Sequence, residues 1–146
     1  MRLVLTLTLA LALAACGGPS GEALAPDAAR GALIDRNWVS LWPTDPNQRL
    51  HVYRFVPSMG GGVYQDRTVF RGSFELFQFE ATGQELRFAF PDNQERLHTP
   101  YRIERVDGPR PFTHRLTLEQ APRGPAVYYG WNEGQQASPL RDIPQL

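Results

Sequence analysis

The sequence predicts an all-β fold, a single antiparallel barrel of about eight strands that follows a signal peptide and a flexible tether. From Asn37 onward, aromatic and β-branched residues recur in short runs in which apolar and polar side chains alternate. This period of two is typical of strands with one buried face. Turn-forming residues interrupt the runs about every ten positions, as in small sandwiches and barrels. No repeat of fixed period is present, so one sheet rolled around one core is expected.

The alternating runs define the expected strands and the domain limits. They span residues 37–42, 50–56, 63–70, 73–80, 85–90, 96–106, 112–119 and 126–131. We therefore assign the barrel domain to residues 33–131 and the polar, proline-containing segment 132–146 to a loose C-terminal tail. Closure into a barrel removes exposed strand edges, which a sheet without disulfides must otherwise protect. The single cysteine of the chain allows no internal disulfide.

One run does not alternate simply. In residues 73–80, Phe74 and Leu76 have one parity, whereas Phe77 and Phe79 have the other. Either a β-bulge shifts the parity or both faces of the strand are covered. The bulge is the preferred interpretation.

The first sixteen residues have the layout of a secretory signal. Arg2 precedes an apolar run that extends to Ala15, and small residues then lead to Cys16. The apolar run is shorter than the ~20 residues that a membrane-spanning helix needs. The sequence Leu13-Ala14-Ala15-Cys16 resembles the lipobox of bacterial lipoproteins.

That resemblance implies a lipidated protein of the cell envelope. Residues 1–15 would be the signal peptide, cleaved after Ala15, and Cys16 would carry the fatty-acylated anchor. Gly17 stands where an aspartate would imply retention in the inner membrane, so the outer membrane, with the domain facing the periplasm, is expected; exposure on the cell surface stays open. Residues 16–32 are rich in Gly, Ala, Pro and Ser, which predicts a flexible tether with a helical turn near its end.

The barrel itself resembles small lipocalin-like domains. These often begin with a Gly-x-Trp element whose tryptophan closes the barrel base, and here Arg36-Asn37-Trp38 matches that element except for the glycine. Lipocalins also stack an arginine from near the last strand on this tryptophan. By the resemblance, Arg123 could take this role.

Composition excludes some classes of partner. The formal net charge is 0, with 15 basic and 15 acidic side chains, so no long-range attraction to nucleic acid or to anionic lipid is expected. The three histidines fall on different predicted strands without close spacing, so neither a metal site nor a cofactor is expected. A carboxylate pair for glycoside chemistry is not favoured, because the glutamates on neighbouring strands are expected to face solvent. The histidines are His51, His98 and His114, and the glutamates are Glu75, Glu85 and Glu104.

The aromatic residues are the remaining candidates for a site. They either fill the core or line an internal cavity for one small apolar ligand, since eight strands enclose little more. The candidate ligand-binding residues are Tyr53, Phe55, Phe88, Tyr101 and Phe112. A second cluster near the end of the chain is expected to be exposed and to suit a protein or glycan partner. Its members are Tyr128, Tyr129 and Trp131.

The sequence therefore favours a non-enzymatic binding module, held at the membrane by its N-terminal lipid, for a small apolar ligand or an envelope protein. The alternatives are an envelope hydrolase acting on cell-wall or lipid substrates, and an inhibitor of such a hydrolase. No motif in the sequence selects among them.

Overall fold

The computed structural model describes residues 21–131, and within them the all-β prediction is confirmed. Nine strands and one α-helix follow in chain order. They are β1 (Glu22–Ala23), α1 (Pro26–Leu33), β2 (Asn37–Val39), β3 (Leu50–Val56), β4 (Gly61–Arg67), β5 (Gly72–Ala81), β6 (Glu85–Phe90), β7 (Glu95–Arg105), β8 (His114–Leu118) and β9 (Val127–Gly130). The leader, Cys16 and the C-terminal tail lie outside the described residues.

Strands β2 to β9 form a closed antiparallel barrel. Each pairs with the next in sequence, and β9 returns to β2 through the single residue pair Val39 and Tyr129. β1 lies outside this ring and pairs with the end of β7. The β2–β3, β4–β5, β6–β7 and β8–β9 connections share one end, here called the loop end. The other end, where the described chain begins, is called the helix end.

Helix α1 covers the helix end. It begins at Pro26, a residue whose fixed φ suits the first helical turn, and it buries Ala29 and Leu33 against the barrel. The fully buried Trp38 donates a hydrogen bond from Nε1 to the carbonyl oxygen of Leu33 at 2.9 Å. The predicted tether, 16–32, therefore contains packed structure from Glu22 onward. Within residues 21–131, no helix has the length and apolarity needed to cross a membrane.

The tryptophan expectation needs one correction. Trp38 does lie buried at the base of the barrel, but Arg123 does not stack on it. The guanidinium of Arg36 lies 5.6 Å from the centre of the Trp38 ring instead, whereas Arg123 lies at the loop end, 4.2 Å from the ring of Phe90. Arg36, which stands where the Gly-x-Trp element has its glycine, thus supplies the guanidinium group over Trp38.

Strand β5 contains no bulge, contrary to the prediction. Its residue pairing with β4 and β6 is continuous, so odd-numbered positions face inward along its whole length. Phe77 is buried, whereas Phe74 and Leu76 point to solvent and are 71% and 57% exposed. The barrel therefore has an apolar stretch on its outer surface.

Candidate functional site

The predicted internal ligand site is filled by its own side chains. Tyr53, Phe55, Phe88 and Tyr101 are all buried in one core cluster. The Tyr53 ring lies 4.9 to 6.1 Å, centre to centre, from five other rings, a spacing typical of direct aromatic contact. Those rings belong to Phe55, Tyr64, Phe77, Phe88 and Tyr128. The interior is thus an aromatic core rather than a ring of walls around an apolar ligand.

Phe112 does not belong to this interior, which corrects its assignment to the ligand site. It precedes β8 and packs on the outer side of the barrel against Trp42, Tyr129 and Trp131, with ring centres 6.1, 5.5 and 5.9 Å away. We call these four residues the outer aromatic cluster. Three of them are half-buried, and Phe112 is buried beneath them.

The prediction that Tyr128 is exposed was wrong, because its side chain is fully buried. In β9 the side chains alternate, so Tyr128 enters the core while Tyr129 faces outward. Of the predicted partner-binding residues, Tyr129 and Trp131 therefore remain together on the outer surface and Tyr128 does not join them.

A groove of about 520 Å³ opens beside the outer aromatic cluster. It arises because β2 ends at Val39, after its only pair with β9, so the barrel wall is incomplete toward the loop end. Leu41 on its edge is 53% exposed. The groove is lined by Ser40, Leu41, Gln48, Arg49, His51, Pro125, Val127 and Tyr129. Leu41 and Trp42 were not predicted as site residues, because the alternating pattern places both in a regular strand.

The loop end is closed by Arg123. Its Nε and Nη2 atoms donate to the two carboxylate oxygens of Glu75 at 2.7 and 2.9 Å, and Nη2 also donates to Glu95 at 2.8 Å. These bonds raise the pKa of Arg123, and the bond to Glu95 lowers the pKa of that carboxyl group. The backbone of the same residue is held by Tyr53, whose hydroxyl accepts from the Arg123 N–H and donates to its carbonyl oxygen, each at 3.1 Å.

The three glutamates expected at the solvent face differ in their surroundings. Glu85 is exposed as predicted. Glu75 points inward to Arg123, because it shares the parity of Phe77. Glu104 is buried and accepts from Arg115 at 3.0 Å. Glu75 and Glu104 thus form ion pairs with different arginines and are not arranged as a pair for glycoside chemistry.

A second polar cluster borders the groove. Arg49 donates to both carboxylate oxygens of Asp66 at 2.6 and 2.7 Å, which lowers the pKa of Asp66. His51 Nδ1 lies 2.7 Å from the hydroxyl of Tyr64, and burial raises the pKa of that hydroxyl to about 12. At neutral pH, Tyr64 is therefore a neutral hydrogen-bonding group and Asp66 a paired anion. The cluster fixes the wall of the groove.

The other histidines lie apart from this cluster. His98 is exposed on β7, and His114 is buried at the helix end, where burial and then the charges of Arg36 and Arg105 lower its pKa to about 4. Within residues 21–131, no three His, Cys, Asp or Glu side chains are grouped so that they could bind a metal ion.

Fold and site together define an eight-stranded antiparallel barrel with an aromatic interior and an external aromatic groove. Comparison of the chain with known protein families, with curated proteins and with solved structures finds no match. The function is therefore argued from the site alone.

Proposed function

We propose that the protein is a lipid-anchored envelope lipoprotein of lipocalin-like architecture whose barrel is a non-enzymatic binding module for a protein partner. The observation that carries the proposal is the groove beside the outer aromatic cluster, with Leu41 exposed on its edge. Aromatic side chains concentrate at the centres of protein interfaces, because they bury a large area and lose little conformational entropy.

The packing of the interior supports a protein partner over a small apolar ligand. A ligand inside the barrel would have to displace rings that already contact one another, for example Tyr53 and Tyr128 at 5.1 Å. Protein cores are packed too densely to admit a molecule without such displacement. The groove is open without any change of the core, so an extended segment of a partner can enter it directly.

The state of the titratable groups supports binding over hydrolysis. Catalytic carboxylates and histidines converge on a cleft with protons to give or take. Here Asp66, Glu75 and Glu95 are each held by an arginine, and the arginine bonds lower the pKa values of Asp66 and Glu95. The three ion pairs stabilise the loop end, and Asp66 and Glu95 stay ionised at neutral pH.

Site-specific crosslinking in the native cell tests the docking proposal. A photo-reactive phenylalanine analogue at position 41 is expected to give one adduct of discrete mass with another envelope protein, because Leu41 lies at the rim of the groove. Met59 is the matched control, since it is apolar and 83% exposed but belongs to the connection between β3 and β4.

Three outcomes would contradict the docking proposal. The first is the absence of an adduct at position 41, and the second is the same adduct at position 59. An adduct with glycan in place of protein would assign the groove to a saccharide and would also overturn it.

The anchor is tested separately by Cys16→Ser. The variant is expected to lack the lipid and to accumulate with residues 1–15 uncleaved, because acylation of the thiol precedes cleavage in the lipobox resemblance. Metabolic palmitate labelling and fractionation provide the measurements. Unchanged labelling of the variant would refute the anchor and leave the groove proposal standing.

A further inference from the structure

The outer surface of β4 and β5 has an apolar stretch that the docking groove does not use. It comprises Val69 and Phe70 at the tip of the β4–β5 connection and Phe74 and Leu76 on β5, all 57% to 75% exposed. We call these four residues the β5 apolar wall. β5 and β9 are four strands apart around the eight-stranded ring, so Phe74 and Leu76 lie on the opposite side of the barrel from Tyr129.

The β5 apolar wall has a defined shape. The Thr68 N–H donates to the Arg71 carbonyl oxygen at 2.7 Å, and the Thr68 hydroxyl accepts from the backbone N–H groups of Phe70 and Arg71 at 3.3 and 3.1 Å. These bonds hold Val69 and Phe70 outward at the tip. Exposed large apolar residues that lie together on a folded surface mark a contact with a partner or a membrane.

The charged side chains that are next to the tip of the wall in sequence are cationic. Arg67 and Arg71 flank the tip, both exposed, and no ion pair within residues 21–131 joins either of them to a carboxylate. Of the three carboxyl groups of these strands, Asp66 and Glu75 have the inward-facing parity and are bound by Arg49 and Arg123. Glu80 faces outward at the far end of β5, where it pairs with Arg87. The tip of the wall therefore presents aromatic rings next to two guanidinium groups.

We infer that the β5 apolar wall rests on an anionic phospholipid surface, with Phe70 and Phe74 at the level of the headgroups and Arg67 and Arg71 on lipid phosphates. Apolar rings next to cationic side chains are the combination that binds the membrane interface. In a symmetric dimer through this wall, the arginines of one copy would lie near those of the other, whereas lipid phosphates supply the opposite charge. The bilayer is thus favoured over a second copy of the chain.

The inference extends the proposed function, because it rests on a lipid at Cys16. Gly21 adjoins the helix end of β7, two strands and hence ~10 Å sideways from β5, whereas the tip of the wall is at the loop end. The five residues between the lipid and Gly21 span at most ~17 Å when extended. A barrel lying on its β5 side therefore keeps Gly21 within reach of the anchor, and the groove then faces away from the membrane.

The test uses the chain from Gly17 to Leu146 without lipid, since the whole barrel and its core lie within residues 21–131. Its co-flotation with vesicles of phosphatidylglycerol and phosphatidylethanolamine is compared with co-flotation on phosphatidylcholine vesicles. Binding to the anionic vesicles alone is expected. Removal of each arginine, in Arg67→Ser and Arg71→Ser, is expected to weaken it about fivefold.

Phe70→Ser is expected to weaken vesicle binding about tenfold, and Met59→Ser, an equally exposed apolar position at the helix end, is the control with unchanged binding. Near-ultraviolet circular dichroism verifies that each variant is folded.

Absence of binding by the unaltered chain, or equal loss in Met59→Ser, would overturn the inference. A dimer in sedimentation that Phe70→Ser makes monomeric would assign the wall to a second copy and overturn it as well. None of these results bears on the crosslink at position 41 or on the Cys16→Ser fractionation.

Discussion

Replacing Trp38 by alanine is expected to lower the free energy of unfolding by about 4 kcal/mol, the largest effect of any single change considered. Trp38 is fully buried between α1 and the base of the barrel, so its removal leaves a large cavity. The carbonyl oxygen of Leu33 also loses the indole N–H as its donor. For a domain of this size, the midpoint of thermal unfolding should fall by about 15–20 °C.

Trp42→Ala is the matched control for this prediction. Trp42 is half-buried, and its stacking on Phe112 lies outside the core. We expect a loss of about 1 kcal/mol. If Trp38→Ala does not fold, Trp38→Phe gives an intermediate loss that urea unfolding can measure. Equal losses in Trp38→Ala and Trp42→Ala would contradict the assignment of Trp38 to the base of the core.

Arg123→Met is expected to lower the free energy of unfolding at pH 7 by about 2–3 kcal/mol. Methionine keeps the apolar stem over Phe90 but leaves Glu75 and Glu95 as neighbouring anions without a counter-charge. Arg87→Met is the control, because the Arg87–Glu80 pair is exposed and its distance is 3.4 Å. Its effect should stay within about 0.5 kcal/mol.

The pH dependence provides a second measure of the same network. Arg123 lowers the pKa of Glu95, so the unfolded chain binds a proton at a higher pH than the folded chain does. The contribution of this pair to stability is therefore complete above the ordinary glutamate pKa and is lost as the pH falls through the lowered value. The native chain and Arg123→Met should therefore differ less in their free energy of unfolding as the pH falls below about 4. A difference that is constant from pH 7 to pH 3 would contradict the ion-pair explanation.

Strands with a single apolar face were predictable from sequence. In β6, Leu86, Phe88 and Phe90 alternate with Glu85, Arg87 and Ala89, and the three large apolar residues are all buried as the pattern requires. Local alternation is sufficient here because burial of one face decides the register. The number of strands in the barrel followed from the same pattern.

Strand β5 and the end of the chain were not predictable in this way. Phe74 and Leu76 suggest a second apolar face, and only the pairing with β4 shows that they point to solvent. In β9, Tyr128 and Tyr129 are adjacent and equally apolar, so the sequence does not show which one enters the core. Arg123 is distant in sequence from Glu75 and Glu95, and only the closed topology brings them together.

The strands of the ring are not paired equally along its circumference, because a single residue pair joins β2 to β9. Every other neighbouring pair of ring strands is joined along several residues, whereas β2 and β9 share only Val39 and Tyr129. Separating that seam breaks the fewest backbone hydrogen bonds, so it is the deformation of lowest cost. This separation widens the groove and leaves the contacts between Tyr53 and its neighbouring rings intact. The groove can therefore accommodate partners of different width while the aromatic core stays folded.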